Sequence, residues 1–233
     1  MLSKQALYSQ LQVWQLLVPN VAAMLLSAVP DELGKQLLSE LPPHCAVKML
    51  GQFEGEPLQA FLKMLDPDVR HELTTLMEYL ENAAGRLMDT RINHFRGDMT
   101  FEPAVAFFRK AKLRTARSLF LVDNSGRLSG RVHLQDIAIA EPGAFLGTLA
   151  QPVSEAVQNT APNEEVTELF EKLKLFDLPV FDFNNQLLGI IYHESLLQAS
   201  RQESSSDLLA MVGASRQEGA LSKSLFTVKK RMP

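Results

Sequence analysis

Cysteine is almost missing from this sequence. Cys45 stands alone among 233 residues, which excludes an internal disulfide and any cysteine-based metal spacing, and fits a reducing, cytoplasmic setting. A surplus of charge is missing too. Lys and Arg number 23 against 27 Asp and Glu, for a formal charge of −4, so no electrostatic case for a nucleic-acid partner arises. Long apolar runs are absent. The most apolar stretch, Val13 to Val29, is interrupted by Gln15, Pro19, Asn20 and Ser27, whereas a spanning helix wants about 20 mostly apolar residues in a row. It reads as two amphipathic helices. The start lacks the basic region, apolar core and small-residue cleavage site of a secretory signal, and the chain as given is expected to be soluble. No G-x-S-x-G, P-loop, G-x-G-x-x-G or H-E-x-x-H is present, and no nucleophile–base pair is recognisable. His44, His71, His94, His133 and His193 show no paired i, i+4 spacing for a metal. Catalysis is not expected.

What is present begins with proline. Up to about Tyr79, Pro19, Pro30, Pro42–Pro43, Pro57 and Pro67 divide the chain into stretches of about ten to fifteen residues, where proline starts or stops a helix cheaply. Leu33, Leu37, Leu38 and Leu41 fall on one helical face, as do Val69, Leu73, Leu76, Met77 and Leu80. Asp66-Pro67-Asp68 is a helix start, with acids near the positive end of the dipole. Helices this short do not hold alone in water, so they must stack on one another as an irregular array of helix pairs.

After Gly85 the pattern changes to strands alternating with helices. Arg91–Phe95 is a short extended candidate, and Thr100 is placed to cap a helix over Phe101–Lys112, with Val105, Phe108 and Ala111 on one face. Ser118–Asp123 reads as a strand, Asn124-Ser125-Gly126 as a turn, Arg127–Val132 as a second strand and Leu134–Ala140 as a helix. About sixty residues later the order recurs. Ala156–Gln158 is a short strand, and Thr160 with Pro162 opens a helix bearing Val166, Leu169, Phe170 and Leu173. Then follow the strand Leu178–Asp182, the turn Phe183-Asn184-Asn185, the strand Gln186–Tyr192 and the helix His193–Ala199. A repeated βαββα unit leaves one sheet face open in each copy, so two copies must pack together. Arg201–Ser206 is a polar linker. The tail from Asp207 ends in the basic Lys229-Lys230-Arg231, with Leu221, Leu225 and Val228 on one helical side.

These repeats resemble CBS modules. The hallmark strand–turn–"h-h-G-h-h" appears as Phe120-Leu121-Val122-Asp123 through Gly130-Arg131-Val132, and again as Leu178-Pro179-Val180-Phe181-Asp182 followed by Gln186-Leu187-Leu188-Gly189-Ile190-Ile191. What surrounds them is similar to MgtE-type magnesium transporters. Tyr79-Leu80-Glu81-Asn82-Ala83-Ala84-Gly85-Arg86-Leu87-Met88 looks like that family's junction between a helical N-terminal domain and the CBS pair, and Asp207-Leu208-Leu209-Ala210-Met211-Val212-Gly213-Ala214 like the segment after the second module. The resemblance implies a two-part fold, all-α then α/β: a superhelix-like helical domain over 1–83, CBS modules over 84–143 and 144–203, and a linker and connecting helix over 204–233. It implies a homodimeric regulatory region on the cytoplasmic side of the membrane, without the transmembrane domain that it serves. The basic tail then stands just before the first transmembrane helix, as cytoplasmic flanks tend to.

The resemblance also implies a mechanism. Bound Mg²⁺ joins carboxylates between domains and protomers into a compact state that closes the pore, and like charges repel until a hard cation bridges them through oxygen. At matching positions this chain keeps Glu164, Glu194, Glu203 and Asp207, and Glu56 lies near a family acidic site. Pro162 and Lys174 replace acids, and Ser195, Gln198, Arg201 and Ser206 thin the cluster further. Mg²⁺ sensing is expected to be weakened. CBS pairs also bind adenine nucleotides through "G-h-x-S/T-x-x-D". The first module keeps only the acid, as Gly130…His133…Asp136, and the second keeps neither, as Gly189…Tyr192…Ser195. Asp136 is the nucleotide-site candidate. The competing readings are a free-standing CBS-pair protein that senses adenine nucleotide and a purely dimerising scaffold.

Overall fold

The structure is a computed structural model that describes residues 10–111 and 117–197. Its first part is helical. Residues 10–16 are helical, and α1 (Pro19–Leu26), α2 (Asp31–Glu40), α3 (Pro43–Leu50), α4 (Gly55–Met64) and α5 (Pro67–Met77) follow. The prolines act as their chemistry demands. Pro19, Pro43 and Pro67 sit in the first turn of their helices, where an N–H has no partner to lose, and Pro30 and Pro42 are the residues just before α2 and α3. Ala22, Leu26, Leu37, Leu38, Leu41, Leu50, Leu73 and Leu76 form the buried interior of this array. Asp66 precedes α5 without capping it through its side chain. Its carboxylate accepts instead from Lys35 Nζ at 2.7 Å. The C-terminal end of α4 is closed by Arg70, which donates to the carbonyls of Leu62, Lys63 and Leu65. Leu80 departs from the expected face and is 75% exposed. The reason is that α5 stops at Met77, so the helical period no longer carries Leu80 inward.

The second part is the expected repeat. A one-turn helix α6 (Ala84–Leu87) leads to α7 (Glu102–Ala111), then β1 (Ser118–Val122), β2 (Leu128–His133), α8 (Leu134–Ile139) and a second one-turn helix, α9 (Leu146–Leu149). The second copy follows as β3 (Val157–Gln158), α10 (Asn163–Leu173), β4 (Asp177–Phe181), β5 (Leu187–Tyr192) and helical residues 193–197. β1 and β2 pair antiparallel from Ser118↔His133 to Val122↔Leu128. β4 and β5 pair the same way, and β3 adds in parallel to β4. Of the Arg91–Phe95 stretch only Phe95 pairs, in parallel with Leu121. α7 starts at Glu102, and Thr100 just before it bridges Phe145.

The two hairpin turns are built alike. Asp123 Oδ1 accepts from the backbone N–H groups of Ser125 and Arg127, and Asp182 Oδ1 from those of Asn184 and Gln186. Those donors hold both carboxyls below their ordinary range, the Arg127 and Gln186 amides most strongly. Gly126 and Asn185 supply the positive φ that each turn needs. The turns then touch: Leu187 N donates to Gly126 O at 3.1 Å and Gln186 Nε2 to Ser125 O at 3.3 Å.

The connecting segments are exchanged between the copies. The opening residues of the first module dock on the second: Ala84 N and Gly85 N donate to Ala161 O and Asn159 O, and Asp89 exchanges backbone hydrogen bonds with Ile190. The opening residues of the second module dock on the first: Leu146 N and Gly147 N donate to Met99 O and Gly97 O, and Gln151 exchanges with Arg131. The motif glycines allow this. A Cβ on Gly189 would stand 2.7 Å from Asp89 O, and one on Gly130 would stand 3.3 Å from Ala150 Cβ. A consequence is that the helical array and the second module share one apolar core. It runs from Leu38 and Leu73 through Ala84 and Leu87 to Val166, Phe170, Leu178 and Ile191.

Candidate functional site: the cleft between the CBS modules

β1 of the first module and β5 of the second meet across a small apolar core of Phe120, Val122, Leu187, Ile190 and Tyr192. At one side of that core the chain opens a small cleft of about 20 Å³. Phe95, Phe107, Phe108 and Phe120 are among its lining residues, together with the polar residues Arg91, Asn93, Ser118 and Tyr192. Flat aromatic walls with a few polar groups suit a ring that carries hydrogen-bonding edges.

The polar groups are held from outside the cleft. The buried Asp177 carboxylate accepts from the backbone N–H groups of Arg117 and Ser118 at 3.0 and 2.9 Å, fixing the start of β1 against the start of β4. Ser118 Oγ lies 3.5 Å from His133 Nδ1. Burial pushes the Tyr192 phenol well up, helped by the charges of Asp89 and Asp177, so it remains a neutral hydroxyl, able both to donate and to accept. Asp89 is raised as well, by burial, although the Arg91 backbone N–H donates to its carboxylate at 2.9 Å.

Asp136 stands in the first turn of α8, half-buried, and is not among the residues lining this cleft. Its motif partner His133 reaches the cleft only through Ser118. Sequence patterns did not single out Arg91, Asn93 or Phe107 as site residues. Tyr192 occupies the hydroxyl position of the second motif copy, and that offset was the one available signal.

The acidic candidates lie apart from the cleft. Glu56 is exposed in the first turn of α4, Glu164 exposed in the first turn of α10, and Glu194 exposed in the helical residues 193–197. Glu203 and Asp207 fall outside the described residues. Among the described residues no three His, Cys, Asp or Glu side chains gather to hold a metal ion. The described donors of one chain therefore do not fit a Mg²⁺ cage, since a hard cation wants several oxygens at once. No described helix is long and apolar enough to cross a membrane.

Residues 4–82 match the family of the MgtE intracellular N domain. The chain is also similar to the magnesium transporter MgtE of Thermus thermophilus, 31% identical over 152 residues, which cover 64% of this chain and 34% of that protein. Among solved structures, the cytosolic domain of the Mg²⁺ channel MgtE in complex with ATP matches at TM-score 0.75 and 28% identity, over 81% of this chain and 78% of that one. This chain is MgtE-like, an MgtE N domain followed by a CBS pair. The CBS pair domain of a candidate Mg²⁺ transporter from Shewanella oneidensis has the same fold as the second part, at TM-score 0.56 and 23% identity, covering 72% of this chain and 98% of that one. The MgtE-like chain spans about a third of the length of the Thermus thermophilus relative.

Proposed function

We propose that this MgtE-like chain is the regulatory region of a magnesium channel or transporter. It works as a homodimer on the cytoplasmic side of the membrane and biases a pore formed by its own transmembrane domain. The observation that supports this most is the joining of an MgtE N domain to the second CBS module through one continuous core. Such a body passes a change in the CBS pair to the N domain without a loose linker between them. Mg²⁺ acts on it weakly. Glu56, Glu164 and Glu194 are separate exposed acids, and bridging them needs Glu203, Asp207 or a second copy of the chain.

The cleft supports a second element of the reading, an adenine nucleotide as ligand. Its aromatic walls suit a purine, and Asn93, Ser118 and Tyr192 suit the edges of base and ribose. The similar structure of 28% identity holds ATP. A free-standing nucleotide sensor would use the same cleft, and the experiment that follows separates the two.

The chain is grafted in place of the cytosolic region of Thermus thermophilus MgtE, and Mg²⁺ flux is measured in vesicles with Mg²⁺ or ATP varied on the cytosolic side. Flux that falls as cytosolic Mg²⁺ rises, with a midpoint above that of the parent, supports the reading. Flux indifferent to both ligands sinks it. Calorimetric titration of the dimer with Mg²⁺ should show weak heats, and several saturable sub-millimolar sites would overturn the weakened response.

A further inference from the structure

Arg91 belongs to two places at once. It is among the residues that line the cleft between the CBS modules, and it is the only charged one among the described lining residues. Its guanidinium is bound to the N domain. Nε and Nη2 donate to Glu72 Oε2 at 3.2 and 3.1 Å, and Nη1 donates to the Leu41 carbonyl at 3.1 Å. Glu72 lies on α5 and Leu41 closes α2, so both acceptors belong to the helical array. The neighbouring Thr90 hydroxyl donates to Glu72 Oε1 at 2.6 Å. Glu72 keeps only 18% of its side chain exposed, so water does little to replace a lost partner.

An arginine carries five N–H donors, and three of these are directed at the N domain. An anion entering the cleft therefore meets one cation, and that cation is already neutralised by Glu72. A phosphate at Arg91 competes for its donors and repels the Glu72 carboxylate as well.

We infer that Arg91 couples the cleft to the N domain with opposite sign: a phosphate-bearing ligand loosens the Glu72 and Leu41 contacts, and release of those contacts tightens binding of the phosphate. Linkage makes the two effects reciprocal. The inference rests on the nucleotide reading of the cleft.

The test is calorimetry on the full chain with ATP and with adenosine, for the wild type and Glu72→Gln. Glutamine keeps an acceptor for Thr90 and removes only the charge. The substitution should tighten ATP by about fivefold or more, the low end of ordinary coupling between sites, and leave adenosine unchanged. Hydrogen exchange gives the other half of the cycle. ATP should speed amide exchange at the end of α2 and along α5 in the wild type, adenosine should not, and Arg91→Gln should abolish the ATP effect. Equal ATP affinity in wild type and Glu72→Gln overturns the coupling and leaves the cleft reading standing. Absence of binding by both ligands to both proteins overturns the nucleotide reading, and the coupling with it.

Discussion

His44 shows how a single side chain makes the N domain sensitive to acid. Both ring nitrogens are buried without a hydrogen-bond partner among the described residues. Burial, with the Lys48 charge adding to it, pulls the ring down to about 3. An unfolded histidine takes up its proton near pH 6.5. Between those values the unfolded chain binds more protons than the folded one, so stability rises with pH in that window. The contribution is complete above about pH 6.5 and is lost as pH falls toward 3, by at most about 1.4 kcal/mol per pH unit. His44→Leu removes the titrating group and two unpaired polar atoms. In urea unfolding, the stability of the variant relative to wild type should improve by roughly 2 kcal/mol between pH 7 and pH 5. Parallel pH profiles would count against a neutral buried imidazole. Arg91 was hidden at this scale for a physical reason: a lone arginine in an irregular stretch has no period, and its importance comes from Glu72 and from cleft residues such as Ser118 and Tyr192, which are far from it in sequence.

Among the elements, β5 and the segment at Met88–Asp89 form the tightest crossing. The Cβ of Gly189→Ala would meet a backbone oxygen at 2.7 Å and the Met88 side chain at 3.0 Å. A backbone group held by reciprocal hydrogen bonds to Ile190 yields little, so the variant should lose about 1–3 kcal/mol. Gly130→Ala meets nothing nearer than Ala150 Cβ at 3.3 Å and should lose less. Chemical denaturation of both variants is the check, and equal losses would mean that the crossing is loose. Much at this scale was legible beforehand. Prolines marked the helix starts, alternating apolar residues with Asn or Gly turns marked the hairpins, and the spacing of the two copies marked the repeat. The exchange of the connecting segments was not legible. The pairing of Ala84 with Ala161 and of Asp89 with Ile190 is long-range, made of backbone groups that any residue carries, and only the glycine opposite leaves a trace. Leu80 misled in the opposite direction, since a helix that ends early breaks its own period.

At the scale of the molecule, the shared core makes the helical array and the second CBS module one cooperative body. The first module has a separate core around Phe95, Ala104, Leu119, Leu121, Val132 and Leu146. Scanning calorimetry of the full chain should therefore show the N domain unfolding together with the second module. ATP should raise the temperature of whichever transition includes the cleft. An N domain that melts by itself, well below the rest, would show that Ala84, Leu87 and Val166 bind it less firmly than their burial implies. The acidic candidates were legible as residues but not as a site. Exposed acids on separate elements become a metal site only when something brings their oxygens together, and one chain does not.

The exchanged segments also set an order of synthesis. Ala84 and Leu87 leave the ribosome early, yet the partners that cover them, from Val157 to Ile191, are made only after the whole first module. The helical array must therefore wait with one side uncovered while the whole first module is translated. Closing a contact across about a hundred residues, as between Asp89 and Ile190, is slow because loop-closure entropy comes before the reward. Until β5 emerges, the nascent chain carries an apolar surface that a chaperone can hold, and a stop anywhere before Ile191 leaves that surface bare.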